Sequence, residues 1–378
     1  MVGHGFMGAA HSQGWRVAPR FFDLPAVPVM HLLVGREATA VERAAARWGW
    51  AATATDWREA VTRDDVDVVD IVTPGDSHAA IAIAALEAGK HVLCEKPLAT
   101  TVAEAEAMAA AAERAAASGV HAMLGHTYRR LPATSLARDL VAAGRLGEIR
   151  QVRAAYLQDW LTDPDVPLTW RLQKDRAGSG ALGDIGAHII DLTQFMTRMS
   201  VVAVSGTLET LVERRPVGPA GPEHAPPPRL AEVTVDDVAL FTARFDSGVL
   251  GTFEASRVAT GRKNALRVEI SGSRGALAFD LEDLNTLELY DATAPVTDRG
   301  FARILVTEPE HPYVAGWWPP GHTLGYEHAF SHQAKDFVEA IANGVPPTPS
   351  FADGLQVQRV LAAVERSAAS GSSWTRIA

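Results

Sequence analysis

Short apolar runs alternate with helix-like segments over the first third of the chain, which has 378 residues in all. The strand-like runs are 27–34, 67–73, 91–94 and 120–124, and the helix-like segments are 38–48, 78–88 and 102–117. Runs rich in Val, Ile and Leu that are separated by helices are typical of a parallel sheet with both faces covered. We therefore predict an α/β domain over residues 1–128.

The pattern changes after residue 128, where strands begin to follow one another directly. Helices are predicted at 133–143, 184–199, 326–342 and 351–369, and strands at 148–158, 201–211, 234–245, 249–257, 266–271 and 287–290. Side chains alternate with period two over 238–243, as in a strand. Asp246-Ser247-Gly248 has the composition of a hairpin turn. Residues 129–378 are therefore predicted to form a second, α+β domain with a mostly antiparallel sheet.

Composition and charge narrow the range of partners. The chain is 47% hydrophobic and 21% charged, and its formal net charge of −10 argues against nucleic acid or an anionic membrane as the main partner. The single cysteine, Cys94, lies in an apolar run and is expected to be a buried, inert thiol. With no disulfide, no recognisable leader and no apolar run long enough for a bilayer, we expect a cytoplasmic protein.

A glycine-rich turn of the form G-x-G-x-x-G opens the chain, and a helix can begin directly after it. Such glycines let the backbone approach a pyrophosphate, which the helix N-terminus then binds. The candidate residues are Gly3, Gly5, Phe6, Met7 and Gly8. Only Met1 and Val2 precede this turn, whereas the motif normally follows a complete strand. We therefore expect a truncated first strand and a longer N-terminus in the native protein.

The choice between NAD and NADP depends on the residues that follow the next strand, Arg36 and Glu37. An arginine at this place can pair with the 2′-phosphate of NADP, whereas an acidic side chain accepts a hydrogen bond from the ribose 2′-hydroxyl of NAD. The sequence leaves both cofactors open, with a slight lean to NADP from Arg36. A surface ion pair at the start of a helix is the alternative interpretation.

Lys96 is the most informative single residue, because the charged pair Glu95-Lys96 follows a short apolar strand and is followed by Pro97. Ligands of open α/β sheets bind at the carboxyl ends of the strands. A lysine there can hold its ammonium group over a reacting hydroxyl or carbonyl oxygen. A solvated loop lysine is the alternative.

A second group of candidate residues lies near the predicted start of the helix at 184–199. Asp184, His188 and Asp191 have the spacing of one helix face. Histidine accepts a proton near neutral pH, and a neighbouring carboxylate can orient its ring. Asp184 could also be a simple N-cap residue. His328 and His332 have a spacing that a metal could use, but no clear third ligand lies near them, so we expect no metal site.

Two loops stand out by composition. Residues 213–229 are dense in proline and glycine and are predicted to be a flexible insertion. Residues 307–325 carry Tyr313, Trp317, Trp318 and His322, and are predicted either to pack as a structural loop or to cover a substrate as a lid.

Taken together, these motifs resemble the glucose–fructose oxidoreductase, inositol dehydrogenase and MocA-like oxidoreductase family. The segments that carry the resemblance are the glycine turn with His11, Thr73-Pro74 with His78, Glu95-Lys96-Pro97, Tyr128-Arg129-Arg130, Trp170-Arg171, and Gly183-Asp184 with His188. The runs 156–160 and 178–184 look most like sugar dehydrogenases of the levoglucosan dehydrogenase kind.

The resemblance implies a fold, a reaction and a site. It implies an N-terminal Rossmann domain that binds NAD or NADP, and a C-terminal α+β domain whose open sheet forms a homodimer or homotetramer. The implied catalytic residues are Lys96, Asp184 and His188. The implied cofactor pocket adds Thr73, Pro74, His78, Glu95, Trp170 and Arg171 to Arg36 and the glycine turn. The implied substrate residues are Lys96, Tyr128, Tyr156, Gln158, Asp184 and His188.

The expected reaction is hydride transfer between nicotinamide and a secondary alcohol of a sugar, anhydrosugar or inositol. The Lys96–Pro97 peptide is often cis in relatives. Two alternatives remain, namely an NAD-dependent glycosidase of the same fold and a non-catalytic sensor that binds a dinucleotide.

Overall fold

The computed structural model describes residues 1–218 and 229–378, which form two compact units. The first unit comprises residues 1–132 and 307–356, and the second unit comprises residues 133–306 and 357–378. The helices are α1 (Phe6–Phe21), α2 (Ala38–Trp48), α3 (Trp57–Val61), α4 (His78–Glu87), α5 (Val102–Ala116), α6 (Pro132–Ala142), α7 (Lys174–Ala177), α8 (Ala187–Thr197), α9 (His328–Asn343) and α10 (Phe351–Ala369).

Sixteen strands are found in the described residues. The strands are β1 (Leu32–Val34), β2 (Ala52–Ala54), β3 (Val68–Ile71), β4 (His91–Glu95), β5 (Ala122–Gly125), β6 (Ile149–Leu157), β7 (Val201–Glu209), β8 (Arg214–Pro216), β9 (Leu230–Glu232), β10 (Val238–Phe245), β11 (Leu250–Ser256), β12 (Ala265–Gly272), β13 (Gly275–Asp280), β14 (Thr286–Asp291), β15 (Phe301–Leu305) and β16 (Thr375–Arg376).

The first unit is built on a parallel sheet with helices, as the alternating pattern predicted. β1 pairs with β2, and β3, β4 and β5 pair in that order, all in parallel. Residues 1–3 lie between β1 and β3, because Val34 N donates to Met1 O at 2.9 Å and Val72 N donates to Val2 O at 2.9 Å. Three residues thus take the place of a first strand and join the two halves of the sheet.

Most elements of this unit lie within one or two residues of the prediction, and α2 has the predicted bounds. The strand predicted at 27–34 is reduced to β1, and Val27 and Val29 are exposed. Pro25 and Pro28 interrupt this run, and proline cannot donate a backbone hydrogen bond to a sheet. β2 and α3 escaped prediction because each is only three to five residues long.

Residues 307–356 pack with the first unit, although the prediction divided the chain once, at residue 128. α9 contacts α1 so closely that a Cβ on Gly14 would meet Phe330 O at 2.7 Å. Phe351, at the start of α10, is buried in the core under the parallel sheet. A periodic pattern shows that a helix has an apolar face, but it does not show which sheet that face covers.

The loop at 307–325 packs within the first unit. The Trp317 ring lies 4.5 Å from Phe21, and its Nε1 donates to His332 Nε2 at 2.7 Å. His332 Nδ1 donates to Arg130 O at 2.8 Å, and burial lowers the pKa of His332 to about 3. Both ring nitrogens of His332 are therefore engaged with protein groups, and the ring is a neutral packing element.

The second unit is built on a nine-stranded sheet in the order β15-β14-β13-β12-β6-β11-β10-β7-β16. Every pairing is antiparallel except that of β6 with β11. The predicted hairpin is confirmed, since Phe245 N donates to Val249 O at 2.9 Å across the turn and Gly248 has a φ of +87°. β10 alternates between buried and exposed side chains along its length. The α+β prediction for this part of the chain is confirmed.

The proline-rich insertion at 213–229 begins and ends in regular structure. β8 and β9 form an antiparallel pair in which Arg215 faces Ala231. Residues 219–228 lie outside the described residues. Strands β13, β15 and β16 were also missed, because their apolar runs are short or are shared with charged residues. None of the helices in the described residues has the length and apolar character needed to cross a bilayer.

Candidate active site

The glycine turn has three glycines with three different surroundings. A Cβ on Gly3, whose φ is +110°, would meet Val72 O at 2.9 Å, and a Cβ on Gly8 would meet Gly3 O at 2.9 Å. Gly5, the N-cap of α1, faces open space. Gly3 and Gly8 are therefore required by the turn and by helix packing, whereas Gly5 leaves room for a ligand at the helix N-terminus. Phosphate oxygens suit such a position.

Arg36 and Glu37 lie beside this turn. A Cβ on Gly35 would overlap the ring of His4, so the end of β1 is in contact with the turn. Arg36 is exposed, and Glu37 occupies the N-cap position of α2 without a capping hydrogen bond from its side chain. Both side chains are thus placed where a ribose substituent of a bound dinucleotide would be read.

Two strand ends in the first unit are joined by His78. Its Nδ1 lies 2.9 Å from Pro97 O and its Nε2 lies 2.9 Å from Thr73 O. His78 therefore connects the turn after β3, which contains Thr73 and Pro74, with the turn after β4, which contains Lys96. The Lys96–Pro97 peptide is cis, as the resemblance implied. Since His78 is buried, it supports these turns from behind.

Lys96 follows directly on a buried cluster of charged side chains. His11 Nδ1 lies 3.0 Å from both carboxylate oxygens of Asp70, and its Nε2 lies 2.9 Å from Glu95 Oε1. The other oxygen of Glu95 accepts a hydrogen bond from Lys96 N at 3.1 Å. Trp15 Nε1 donates to Asp70 Oδ2 at 2.7 Å.

The partners of His11 determine its protonation. Burial disfavours a charge on the ring, but the two carboxylates outweigh this effect and raise the pKa of His11 to about 10. An imidazolium donates from both ring nitrogens, so it can bind Asp70 through Nδ1 and Glu95 through Nε2. Glu95, predicted as a cofactor-pocket residue, is 4% exposed and is held between His11 and the backbone of Lys96.

Aromatic rings line the first unit next to the glycine turn. Phe6 is 70% exposed and stacks at 6.4 Å on Tyr326, which lies 6.3 Å from Tyr128. Burial, with Tyr128 and Glu95 nearby, raises the pKa of the Tyr326 hydroxyl above its usual value. Tyr128, predicted as a substrate residue, is thus part of this aromatic surface, and Tyr326 is a member that the sequence did not indicate.

In the second unit, Asp184 and His188 are the two residues of 180–193 that are not fully buried. The segment does not form the single helix predicted at 184–199. A π-helical turn (Leu182–Gly186) precedes α8, so the i, i+4 spacing assumed for Asp184 and His188 does not apply across this turn. Asp191, predicted to lie on the same face, is buried. Such turns occur often at functional sites.

Asp184 and His188 have polar and aromatic neighbours from the sheet. Arg257 Nη1 lies 3.7 Å from Asp184 Oδ2, and the ring of Tyr156 lies 5.8 Å from that of His188 at a steep angle. Asp184 is 29% exposed, whereas Arg257 is fully buried. The arginine therefore approaches the carboxylate from the protein interior.

The predicted substrate residues Tyr156 and Gln158 share one partner, Asn264. Tyr156 OH donates to Asn264 Oδ1 at 2.7 Å, and Gln158 Nε2 donates to the same oxygen at 2.8 Å. Trp160 Nε1 donates to Gln158 Oε1 at 3.0 Å. These hydrogen bonds fix the polar groups of Tyr156, Gln158, Trp160 and Asn264 relative to one another.

Trp170 and Arg171 form a short 3₁₀ turn in the second unit. The Arg171 guanidinium lies 4.4 Å above the Trp170 ring, and Arg171 O accepts a hydrogen bond from Arg257 Nη1 at 3.5 Å. The same buried arginine therefore contacts both Asp184 and the turn that the resemblance implied for the cofactor pocket.

Within each unit the structure brings the predicted residues together, and it adds others. The first unit groups the glycine turn, Arg36, Thr73, Pro74, His78, Glu95, Lys96 and Tyr128. The second unit groups Tyr156, Gln158, Trp170, Arg171, Asp184 and His188. Residues that sequence reasoning missed are Asp70, Asn264, Asp236, Arg257 and Tyr326. The available signal was a charged residue next to an apolar strand, as at Asp236 and Arg257. In the parts of the chain that the structure describes, no group of three or more His, Cys, Asp and Glu side chains has an arrangement that could hold a metal ion.

Comparisons with known proteins identify the family of both domains. Residues 1–123 match the oxidoreductase family, NAD-binding Rossmann fold, and residues 134–278 match the GFO/IDH/MocA C-terminal domain. The chain is 41% identical over 384 residues to levoglucosan dehydrogenase of Pseudarthrobacter phenanthrenivorans, covering 100% of this chain and 97% of the relative.

Solved structures extend the likeness to the whole fold. The crystal structure of an oxidoreductase domain protein from Kribbella flavida is 65% identical, with a TM-score of 0.95 and coverage of 100% of this chain and 98% of that chain. A levoglucosan dehydrogenase in complex with NADH and levoglucosan is 40% identical, with a TM-score of 0.93 and coverage of 100% and 98%.

Proposed function

Because this chain belongs to the GFO/IDH/MocA oxidoreductase family, we propose that it is an NAD(P)-dependent sugar dehydrogenase with levoglucosan as its first candidate substrate. The reaction is hydride transfer between nicotinamide and a secondary alcohol of a sugar, anhydrosugar or inositol. The observation that carries the proposal is the exposure of Asp184 and His188 alone within the buried segment 180–193. A levoglucosan dehydrogenase that is similar over the full chain supports the substrate class.

We assign a role to each candidate catalytic residue. His188 accepts the proton of the substrate hydroxyl, because a histidine titrates near neutral pH. Lys96 donates a hydrogen bond to the same oxygen and stabilises its developing negative charge. Asp184 binds a neighbouring hydroxyl or orients the imidazole. When bound, NAD(P) supplies the hydride acceptor.

The proposed cofactor pocket follows from the environment of each residue. Gly5 and the first amides of α1 bind the pyrophosphate, with Phe6 and Met7 beside it. Thr73, Pro74 and Glu95 line the strand ends, while His78 holds those ends in place. Trp170 and Arg171 are the candidate cofactor residues of the second unit. We also propose that residues 1–128 are the cofactor-binding domain and that 129–378 carry the substrate and oligomer surfaces.

The choice between NAD and NADP rests on Arg36 and Glu37. We favour NAD as the working cofactor, because a similar levoglucosan dehydrogenase was solved with NADH and Glu37 is not used as a helix cap. Arg36 allows some use of NADP. Replacing Arg36 by alanine should lower kcat/KM with NADP by roughly tenfold or more, since a charged hydrogen bond is lost. The value with NAD should stay nearly constant.

A substrate panel tests the function directly. Nicotinamide absorbance is followed with NAD and with NADP against levoglucosan, inositols and aldoses, and we expect the highest kcat/KM with levoglucosan. NADH binding without turnover on any of these compounds would contradict the proposal and favour a sensor. Cleavage of an aryl glycoside without net nicotinamide reduction would instead favour an NAD-dependent glycosidase.

We further propose a homodimer or homotetramer that forms through the second unit. One face of the nine-stranded sheet exposes Leu240 and Leu250 beside the charged side chains of Arg153 and Glu254. A large face of mixed apolar and charged character suits contact with a second copy. Light scattering of the wild type and of Leu240→Asp tests this, and a monomeric wild type would contradict it. We propose the cytoplasm as the location, which cell fractionation tests.

A further inference from the structure

A buried carboxylate in the second unit holds the turn that carries Asp184. Asp236 Oδ1 accepts a hydrogen bond from Gly180 N at 2.7 Å, and Asp236 Oδ2 accepts one from Leu182 N at 2.7 Å. The carbonyl oxygen of Asp236 accepts a third from Ala181 N at 2.9 Å. One residue therefore binds three successive backbone amides, directly before Asp184 in the chain.

The approach of the two segments is as close as backbone atoms allow. A Cβ on Gly180 would overlap the carbonyl oxygen of Asp236, so only glycine fits at this position. Asp184 N in turn donates to Gly180 O at 2.9 Å. Gly180 thus links the backbone of Asp184 to Asp236, and Asp236 lies just before the start of β10.

Arg257 acts on the same turn from the opposite strand. β10 and β11 pair so that Val238 faces Ser256, which places Asp236 and Arg257 at the same end of the hairpin. Arg257 Nη2 donates to Asp236 O at 3.1 Å, Nη1 donates to Arg171 O at 3.5 Å, and Nη1 lies 3.7 Å from Asp184 Oδ2. The guanidinium therefore contacts Asp236, the turn formed by Trp170 and Arg171, and the carboxylate of Asp184. We call the hydrogen bonds of Asp236 to residues 180–182 the clamp.

The hydrogen bonding of Arg257 is not what stability alone would favour. The side chain is fully buried, and its Nε has no acceptor among the described residues. A buried donor without a partner costs free energy. Arg215 is equally buried and its Nε also has no acceptor among the described residues, so this feature does not single out Arg257. What distinguishes Arg257 is that its guanidinium contacts both Asp184 and the carbonyl oxygen of Asp236.

We propose that Asp236 and Arg257 are positioning residues for the reaction, with Asp236 fixing the backbone of the turn and Arg257 fixing the direction of the Asp184 carboxylate. This inference rests on the proposed function, because it assumes that Asp184 and His188 have the catalytic roles proposed above. Neither residue contacts the substrate. Their loss displaces the base and its partner from the reacting hydroxyl, and displacements of this kind slow catalysis without preventing cofactor binding.

The chain offers a matched control for each residue. Asp237 is buried next to Asp236 and its Oδ2 also accepts two backbone amides, but those belong to Leu211 and Val212, away from the turn. Arg215 is as buried as Arg257 and donates to the carbonyl groups of Leu161 and Asp163. Variants of Asp237 and Arg215 therefore report what a change in a buried charged group does when that group has no side-chain hydrogen bond to the 180–182 backbone.

The test compares Asp236→Asn and Arg257→Lys with Asp237→Asn and Arg215→Lys, using levoglucosan and NAD. In Asp236→Asn one carboxylate oxygen becomes an NH₂ group that faces a backbone N–H. One of the three hydrogen bonds to the turn and the side-chain charge are therefore lost without a change of size. Lysine retains the charge of Arg257 but not its planar fork. We expect kcat per NADH-binding site to fall about 10- to 100-fold in the first pair. The dissociation constant of NADH should remain at the wild-type value in all four variants.

An isotope effect separates positioning from folding. With carbon-deuterated levoglucosan, the primary isotope effect on kcat should increase in Asp236→Asn and Arg257→Lys, because hydride transfer becomes slower than the other steps. The control variants should lose thermal stability while their kcat per site and isotope effect stay unchanged. Equal kcat and isotope effects in Asp236→Asn and Asp237→Asn would overturn the inference. If Asp236→Asn yields no folded protein, the comparison of Arg257→Lys with Arg215→Lys decides in the same way.

His188→Ala, included in the same series, separates this inference from the proposed function. Normal turnover in His188→Ala would overturn the assigned roles of the site. A loss of turnover in His188→Ala, together with normal kinetics in Asp236→Asn and Arg257→Lys, would overturn the positioning role alone.

Discussion

The two units support their candidate catalytic side chains by different means. In the first unit, Lys96 follows Glu95, which shares the His11 imidazolium with Asp70 in a buried cluster of three charged groups. In the second unit, Asp184 follows backbone amides that are held by Asp236. The first support is made of charged side chains, and the second consists mainly of hydrogen bonds that backbone amides donate to the Asp236 side chain.

The difference has consequences for stability and for pH. Removing one member of a buried charged cluster leaves the others without compensation, which is costly. The cluster around His11 also depends on a proton that the ring must keep. The Asp236 clamp acts on backbone position, so its loss affects geometry more than charge. We therefore expect the first support to lose its charge as the pH rises. The second support responds mainly to changes of shape, and because burial raises the pKa of Asp236, it takes up a proton only as the pH falls.

The largest expected effect is the loss of turnover when either catalytic candidate is removed. Lys96→Ala and His188→Ala should each lower kcat by roughly 10²- to 10³-fold, because a donor or a base at the reacting oxygen is lost. NADH binding, followed by fluorescence, should persist. Lys90→Ala is the matched control, since Lys90 precedes β4 and its Nζ donates to Arg63 O. Near-normal turnover in either variant would refute the assigned roles.

The next effect is on stability and tests the charged support. In His11→Gln the amide can donate to only one of the two carboxylates, so the free energy of unfolding should fall by about 3–5 kcal/mol. Thermal denaturation of the first unit reports the change. His31→Gln is the control, because His31 pairs with Asp65 at 3.0 Å on the exposed surface, and its loss should cost about 1 kcal/mol or less. Similar losses of stability in both variants would mean that the buried cluster stabilises the protein no more than an exposed ion pair does.

The pH dependence of that stability difference sharpens the comparison. The pKa of His11 is raised from 6.5 to about 10 in the folded protein. Its contribution is therefore complete below the unfolded pKa of 6.5, declines as the pH rises, and is lost as the pH passes through about 10. The difference in Tm between the wild type and His11→Gln should shrink across this range. A difference that stays constant with pH would show that the ring is not charged.

The smallest expected effect concerns the hydrogen bonds that Tyr156 and Gln158 donate to Asn264 in the second unit. Tyr156→Phe removes the hydrogen bond to Asn264, while Gln158 keeps its own bond to the same oxygen. We expect KM for levoglucosan to rise roughly two- to tenfold, the equivalent of one hydrogen bond, with kcat nearly unchanged. Tyr290→Phe, on β14 and next to Phe301, is the control. A large fall in kcat would instead assign Tyr156 to the reaction itself.

Local sequence signals predicted much of the fold and several site residues. The glycine turn was recognisable from the spacing of its glycines, of which Gly3 and Gly8 have no room for a Cβ and Gly5 faces open space. The bounds of α10 were predicted because its apolar pattern is long. Lys96 was found because a charged pair follows a short apolar strand. The π-helical turn before α8 was missed, because Gly183, Asp184 and Gly186 suit the start of a helix but do not distinguish a π turn from an α turn.

The sequence by itself determined the two classes of domain, the glycine turn and the positions of Lys96, Asp184 and His188, because periodicity and turn composition act over a few residues. Only the tertiary structure decided that His11 lies between Asp70 and Glu95, or that Asp236 holds the amides of Gly180 and Leu182. These partners are 54 to 84 residues apart in the chain. A hydrogen bond over such a separation has no local signal, because it forms only after the strands on either side have paired.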